Sequence, residues 1–222
     1  KSSCLRSIGW IKQDQGEVDE ALSLYQESLE ITEQIGDRSS KSYCLQAIGR
    51  IKQDQGEVDE ALSLYQESFE ISEQIGDRPG KAYTFNRIGT LYSEQHRVSE
   101  AIALLNQSLE IFEHVGYPKG KAQTLCQRAR VYAQVGEVTE AIQLFEQALD
   151  IQECLSYLSD KAETLWHFGE VLAKQAGDVS TGLKHLHTSL TIFQQLKFAN
   201  AKKVMAVIEA IQQQHSLIEH ST

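Results

Sequence analysis

A forty-residue segment that begins again at Lys1, Lys41, Lys81, Lys121 and Lys161 limits what this chain can fold into. The repeats run Lys1–Ser40, Lys41–Gly80, Lys81–Gly120, Lys121–Asp160 and Lys161–Asn200. The first two are near copies. Between Ile8–Arg38 and Ile48–Arg78 only Trp10/Arg50, Leu29/Phe69 and Thr32/Ser72 differ, as after a duplication. A repeat this short cannot shelter its apolar stripe alone. Each must lean on the next, which predicts one quasi-linear stack over residues 1–222 rather than separate globular domains.

The third repeat shows the internal pattern. Phe85, Ile88, Gly89 and Tyr92 fall at i, i+3, i+4 and i+7, the stripe of a first amphipathic helix. Val98, Ala101, Ile102, Leu105, Leu109 and Phe112 give a second helix, which Gly116 and Pro118 are expected to stop. First helices are predicted over roughly the second to fifteenth residue of each repeat, ending at Gly16, Gly56, Gly136 and Gly177, with His96 in that place in the third. Second helices are predicted to begin near Val18, Val58, Val98, Val138 and Val179. Asp19, Asp59, Ser99, Thr139 and Ser180 follow as residue types able to cap them. Gly9, Gly49, Gly89, Ala129 and Gly169 face Ala21, Ala61, Ala101, Ala141 and Gly182, so paired helices are expected to cross closely. Residues 201–219 read as a lone capping helix, with Val204, Val207, Ile208 and Ile211 turned inward and Lys202, Lys203, Gln212, Gln213 and Gln214 outward.

The formal charge of −10 argues against general nucleic-acid binding. No apolar run approaches the roughly 18 residues of a membrane span, and no signal peptide is visible. The chain opens on Lys1, in register with a repeat and without an initiator Met, which reads as a piece of a longer cytoplasmic protein. Cys4, Cys44, Cys126 and Cys154 show no metal spacing and read as small half-buried thiols.

Gly89, Tyr92, Ala101, Leu105 and Ser108, with the apolar positions between them, resemble the signature of the tetratricopeptide repeat. Lys12 and Lys52 depart from it where Tyr is expected, as does Arg128 at a position that is Ile or Phe in other repeats. The forty-residue form is similar to repeats of kinesin light chain, Pins-type polarity scaffolds and bacterial sensor arrays. The IGDR connections at Ile35–Arg38 and Ile75–Arg78 are shared with the last group. The resemblance implies an all-α, right-handed superhelix of five helix-turn-helix repeats plus the cap, with first helices lining a concave face. It also implies that the chain binds protein or peptide segments and is not an enzyme.

One polar face of the first helices varies while the scaffold repeats. Arg6, Gln46, Asn86, Cys126 and Trp166 run along it, beside Ser7, Ala47, Arg87, Gln127 and His167. Trp10, Arg50, Thr90, Arg130 and Glu170 lie one turn on, and Ser3, Tyr43, Tyr83, Gln123 and Glu163 complete it. Its arginines make it locally basic, suited to carboxylates in fork geometry. Asn86 and Arg87 are expected to clamp a peptide backbone by family analogy, with Arg6, Trp10, Tyr43, Gln46, Arg50, Tyr83, Gln127, Arg130, Trp166 and His167 around the ligand. Ordinary drift on a solvent-facing surface would produce the same variation. Trp166 could equally pack on the terminal cap, and Arg128 is expected either to meet a buried carboxylate or to snorkel.

No metal or cofactor is predicted. His185 and His187 are two residues apart and so point to different helix faces, and His215 with His220 is no better a pair. Segments 116–122 and 76–82 mimic a phosphate loop but are one residue short, follow a helix and carry Ala where Ser or Thr should hold Mg²⁺. Two further readings stay open. One is a self-associating or spacer array whose apolar edge at Lys1–Ile11 makes a weak homo-oligomer. The other is a regulatory module for an enzyme domain outside this sequence.

Overall fold

The computed structural model describes residues 1–155 and 157–219. Among them every regular element is a helix, two per repeat: α1 (Ser2–Gln15) and α2 (Val18–Ile35), α3 (Arg38–Asp54) and α4 (Val58–Ile75), α5 (Arg78–Glu94) and α6 (Val98–His114), α7 (Pro118–Gln134) and α8 (Val138–Leu155), α9 (Leu158–Lys174) and α10 (Val179–Leu196). α11 (Asn200–Glu219) follows alone. The fold is all-α and repetitive, as expected. The helices gather into two compact units, Lys1–Thr124 and Leu125–Thr222, divided inside α7. No described helix is long and apolar enough to cross a membrane.

Second helices start at the predicted valines, and Gly16, Gly56, Gly136 and Gly177 turn the chain with φ between 76° and 85°. His96 takes that left-handed conformation at φ 60°, where a Cβ is costly. Two expectations are corrected. Pro118 does not stop α6. That helix ends at His114, Gly116 turns the chain, and Pro118 opens α7, where its missing N–H would have been an orphan anyway. First helices after the first begin four residues early; in α3 and α5 this is because Asp37 and Asp77 serve as their caps, accepting from the Ser40 N–H at 3.0 Å and the Gly80 N–H at 2.9 Å. The IGDR segment is thus a turn followed by the next helix's cap. Asp19 and Asp59 lie within their helices, past the capping position, and Glu17, Glu57 and Arg97 occupy that position without a side-chain cap bond. The two aspartates still place charge favourably in the first turn.

In the N-terminal unit, a Cβ on Gly49 would lie 2.7 Å from the Tyr65 ring, so the small residue is what lets α3 and α4 approach. Ile48 and Ile51 then cross to the preceding repeat, sharing a core with Ala21 and Tyr25 of α2. A polar seam runs within and between repeats as well. Ser42 bonds Ser68 at 2.8 Å and Ser72 at 3.0 Å within its own repeat, while Ser68 bonds Thr84 at 3.3 Å and Ser108 bonds Thr124 at 3.1 Å across to the next, all buried. In the C-terminal unit, Leu165, Leu186 and Phe193 pack with Val204, Ile208 and Ile211 of α11. The lysines and glutamines of α11 stay outside, as expected of a cap. A Lys–Glu ladder lies over the surface, with Lys41 bridging Glu33 at 3.0 Å and Glu67 at 2.8 Å. Such exposed pairs contribute about 0–1 kcal/mol each.

Candidate functional site

In the N-terminal unit the varied first-helix face gathers around Tyr43, whose side chain remains 42% exposed. The Arg6 guanidinium sits over the Tyr43 ring, 5.0 Å from its centroid, and the Arg6 Nε is buried with no hydrogen-bond partner. Burial pushes the Tyr43 phenol up, while the charges of Arg6, Arg87 and Arg50 pull it down. Arg87 and Arg50 also act on Tyr65, held at about 12 chiefly by burial. Arg6 of α1 is thus in contact with the ring, and Arg50 of α3 and Arg87 of α5 act on it through their charge. Trp10, 41% exposed, lies on the same helix as Arg6. In a chain of net charge −10 this is a local concentration of the opposite sign.

Other expected ligand residues are engaged internally. Asn86 is only 6% exposed, and its Nδ2 donates to Thr124 Oγ1 at 3.0 Å. That amide N–H belongs to the polar seam and so is engaged inside the unit, where an open clamp at Asn86 was expected. The physical reason is that Ser108 and Thr124 form a buried hydroxyl pair there that Asn86 completes. Gln46 likewise directs its Nε2 to Ser68 Oγ at 2.9 Å and Thr84 Oγ1 at 3.0 Å. Tyr83 packs edge-on to Phe112 and Tyr117, with centroids 5.0 and 6.1 Å away. The recurrence of Thr84, Thr124 and Thr164 at one register was the available signal for this seam.

The C-terminal unit carries Gln127, Arg130, Trp166 and His167. Arg130 donates to Gln127 Oε1 at 2.7 Å. Trp166 stacks on His167 at 4.9 Å and packs against the core that includes α11 residues, which favours its role at the cap. Its Nε1 is buried without a partner. Burial first, then the charge of Arg130, holds the His167 imidazole well below its ordinary value. Arg128 finds no carboxylate for its buried Nε, and its guanidinium lies 6.0 Å from the Tyr132 ring. Cys44 and Cys126 are buried free thiols, whereas Cys4 and Cys154 are exposed. Among the described residues no three His, Cys, Asp or Glu side chains are grouped as metal ligands. His220 lies outside the described residues.

A tetratricopeptide repeat model matches residues 2–74 and 41–114, together just over half of the chain, and a second such model matches 122–153. No curated protein matches the sequence. Solved structures match in fold. A thermophilic TPR protein of Thermus thermophilus superposes with TM-score 0.68 at 18% identity, over 96% of this chain and 100% of that one. A putative kinesin light chain of Podosopora anserina, built of nearly identical TPR-like repeats, gives 0.55 at 20% identity, over 87% and 95%. A Rap protein complexed with Competence and Sporulation Factor gives 0.69 at 12% identity, over 95% and 74%.

Proposed function

Because this chain belongs to the tetratricopeptide repeat family, a family of protein-interaction scaffolds, we propose that its first-helix face grips a peptide or partner segment bearing carboxylates. The observation that carries this is the Arg6–Tyr43 platform. Arg6 stacks on a half-exposed ring with its Nε unpartnered, and Arg50 and Arg87 bring their charges to the same ring. Guanidiniums held beside an aromatic surface favour planar anions next to apolar side chains. Trp10 extends the aromatic surface along α1. Asn86 supports the face from beneath rather than touching the ligand. The fold neighbour holding Competence and Sporulation Factor is in keeping with a module that takes up a separate factor. We read the chain as a non-enzymatic sensor or adaptor part of a larger cytoplasmic protein.

The test is a fluorescent peptide array sampling internal Asp and Glu and free C-terminal carboxylates, followed by titration of captured peptides. Capture of carboxylate-bearing peptides is expected. Arg6→Ala with Arg87→Ala should weaken them by more than about tenfold, which is 1.4 kcal/mol, and leave the melting temperature nearly unmoved. Unchanged affinity in the double variant would refute the arginine platform. An array with no captured peptide, together with a stable dimer in light scattering, would favour the self-associating reading instead.

A further inference from the structure

The two turns that join the first three repeats carry side chains that packing does not use. Ile35 and Ile75 end α2 and α4 at one register, and they remain 66% and 38% exposed. Arg38 and Arg78 open α3 and α5 and are exposed as well. The first turn of a helix is the end where its dipole disfavours a cation. The acids nearby are already engaged. Lys41 holds Glu33, Lys81 holds Glu73, and Asp37 and Asp77 accept from backbone N–H groups. Among the described residues neither guanidinium meets a carboxylate. Arg38 instead reaches across to donate to Gln74 Oε1, next to Ile75, which joins the two turns into one strip. Beside Ile35 lies a hollow of about 370 Å³, lined by Thr32, Glu33, Gly36, Asp37, Arg38 and Lys41.

We propose that this strip is a second docking surface, besides the Arg6–Tyr43 platform, for an acidic segment of a partner protein with aliphatic side chains among its carboxylates. Docking would cover Ile35 and Ile75, admit an aliphatic side chain to the hollow and give Arg38 and Arg78 carboxylates in fork geometry. The charge argues for this occupant. Two arginines left without an acid in a chain of net charge −10 are complementary to a partner that brings its own. A lipid surface suits the strip less, because polybasic membrane sites gather about 4–8 cations. A second copy of the chain suits it less as well. The outer sides of α2 and α4 offer Glu30 and Glu70 at one register, but these stand among exposed serines, glutamines and further glutamates, with no apolar side chain to meet the isoleucines.

The probe is a set of synthetic peptides in which Glu and Leu occur at every separation up to two helical turns, with Gln in place of Glu as the neutral control. Each is titrated into the isotope-labelled chain, and the backbone amide shifts are followed. Leu–Glu peptides are expected to move the amides of residues 35–38 and 75–78, and Leu–Gln peptides to bind at least about tenfold more weakly. Arg38→Glu with Arg78→Glu should weaken the Leu–Glu peptides by a similar factor without loss of fold, since an acid suits the first turn of a helix. Ile35→Ser with Ile75→Ser should weaken both kinds of peptide. Arg6→Ala with Arg87→Ala should leave the shifts at the two turns unchanged, so failure of the platform and failure of the strip read out separately. The proposal is overturned if no Leu–Glu peptide moves these amides, or if charge reversal leaves the affinity unaltered. It is also overturned if phosphatidylserine vesicles shift them where the peptides do not, or if light scattering finds a dimer in which they are already covered. A lipid surface or a second copy would then be the occupant.

Discussion

The first and second repeats differ at three positions from their eighth residue to the end of the IGDR turn, yet they differ in almost every physical measure of their first helices. α3 is capped by Asp37, buries its isoleucines and hides its thiol. α1 starts at Lys1 with no side-chain cap bond and leaves the same side chains half exposed. The comparison separates what a repeat carries from what it borrows. The glycine turn between its two helices and their tight crossing belong to the repeat. Both Gly9 and Gly49 stand beneath a tyrosine ring of their own second helix, with 3.0 and 2.7 Å available for a Cβ. Burial of the first helix's outer stripe is borrowed from the preceding repeat.

The largest test of that distinction is a pair of matched truncations. Ile51→Ala empties a site that is 1% exposed and should cost about 2–5 kcal/mol in urea unfolding. Ile11→Ala, at the same register but half in water, should cost less than about 1 kcal/mol, because little transfer energy and no closed cavity are involved. Equal losses would mean that α1 is as well packed as α3 in solution.

Next in size is a neighbouring pair inside α5. Asn86→Ala removes a buried donor from Thr124 and should cost about 1–3 kcal/mol. Arg87→Ala should change stability by no more than about 0.5 kcal/mol. From the sequence the two residues looked alike, consecutive polar side chains on a variable face. The 3.6-residue period places residues on a stripe, but it does not say where one repeat's edge ends and the next repeat's hydroxyls begin. The same limit left open whether Trp166 belongs to the groove or to the cap cluster. Glycine and valine boundaries were legible because each follows from a local rule, a left-handed turn or the first apolar residue of a stripe. Pro118 was misread because proline both follows helices and begins them, and only the position of Gly116 two residues earlier decides between the two.

The caps sharpen the comparison through pH. Donation from Ser40 holds the Asp37 carboxyl below its ordinary value. A depressed carboxyl gives stability above its unfolded value, near pH 4, and loses it as the pH falls through the folded value. Asp37→Asn should retain about the same cap at every pH. The stability gap between the two chains should therefore favour the native one by a few tenths to about 1 kcal/mol at pH 7 and close as the pH falls through the folded value of Asp37. Hydrogen exchange at the start of α1, which has no such cap, should not follow that profile.

The remaining expected effect is a gain, and it comes from one missing methylene. Tyr65 donates to Gln53 Oε1 at 2.9 Å, and Gln53 Nε2 in turn donates to Glu94 of the next repeat at 2.8 Å. Tyr25 donates to Gln13 Oε1 at a longer 3.3 Å, and Gln13 Nε2 is buried with no partner. The residue at the place of Glu94 is here Asp54, one carbon shorter. Asp54→Glu extends the carboxylate toward the orphaned amide and should stabilise the chain by about 0.5–1.5 kcal/mol, the net value of one hydrogen bond. The control is Gln13→Leu, which removes the orphan. In that background Asp54→Glu should add nothing, because the glutamate then has no donor to meet. A gain that survives Gln13→Leu would place its origin in helix propensity, and the relay from tyrosine through glutamine to the next repeat's acid would be peculiar to Gln53.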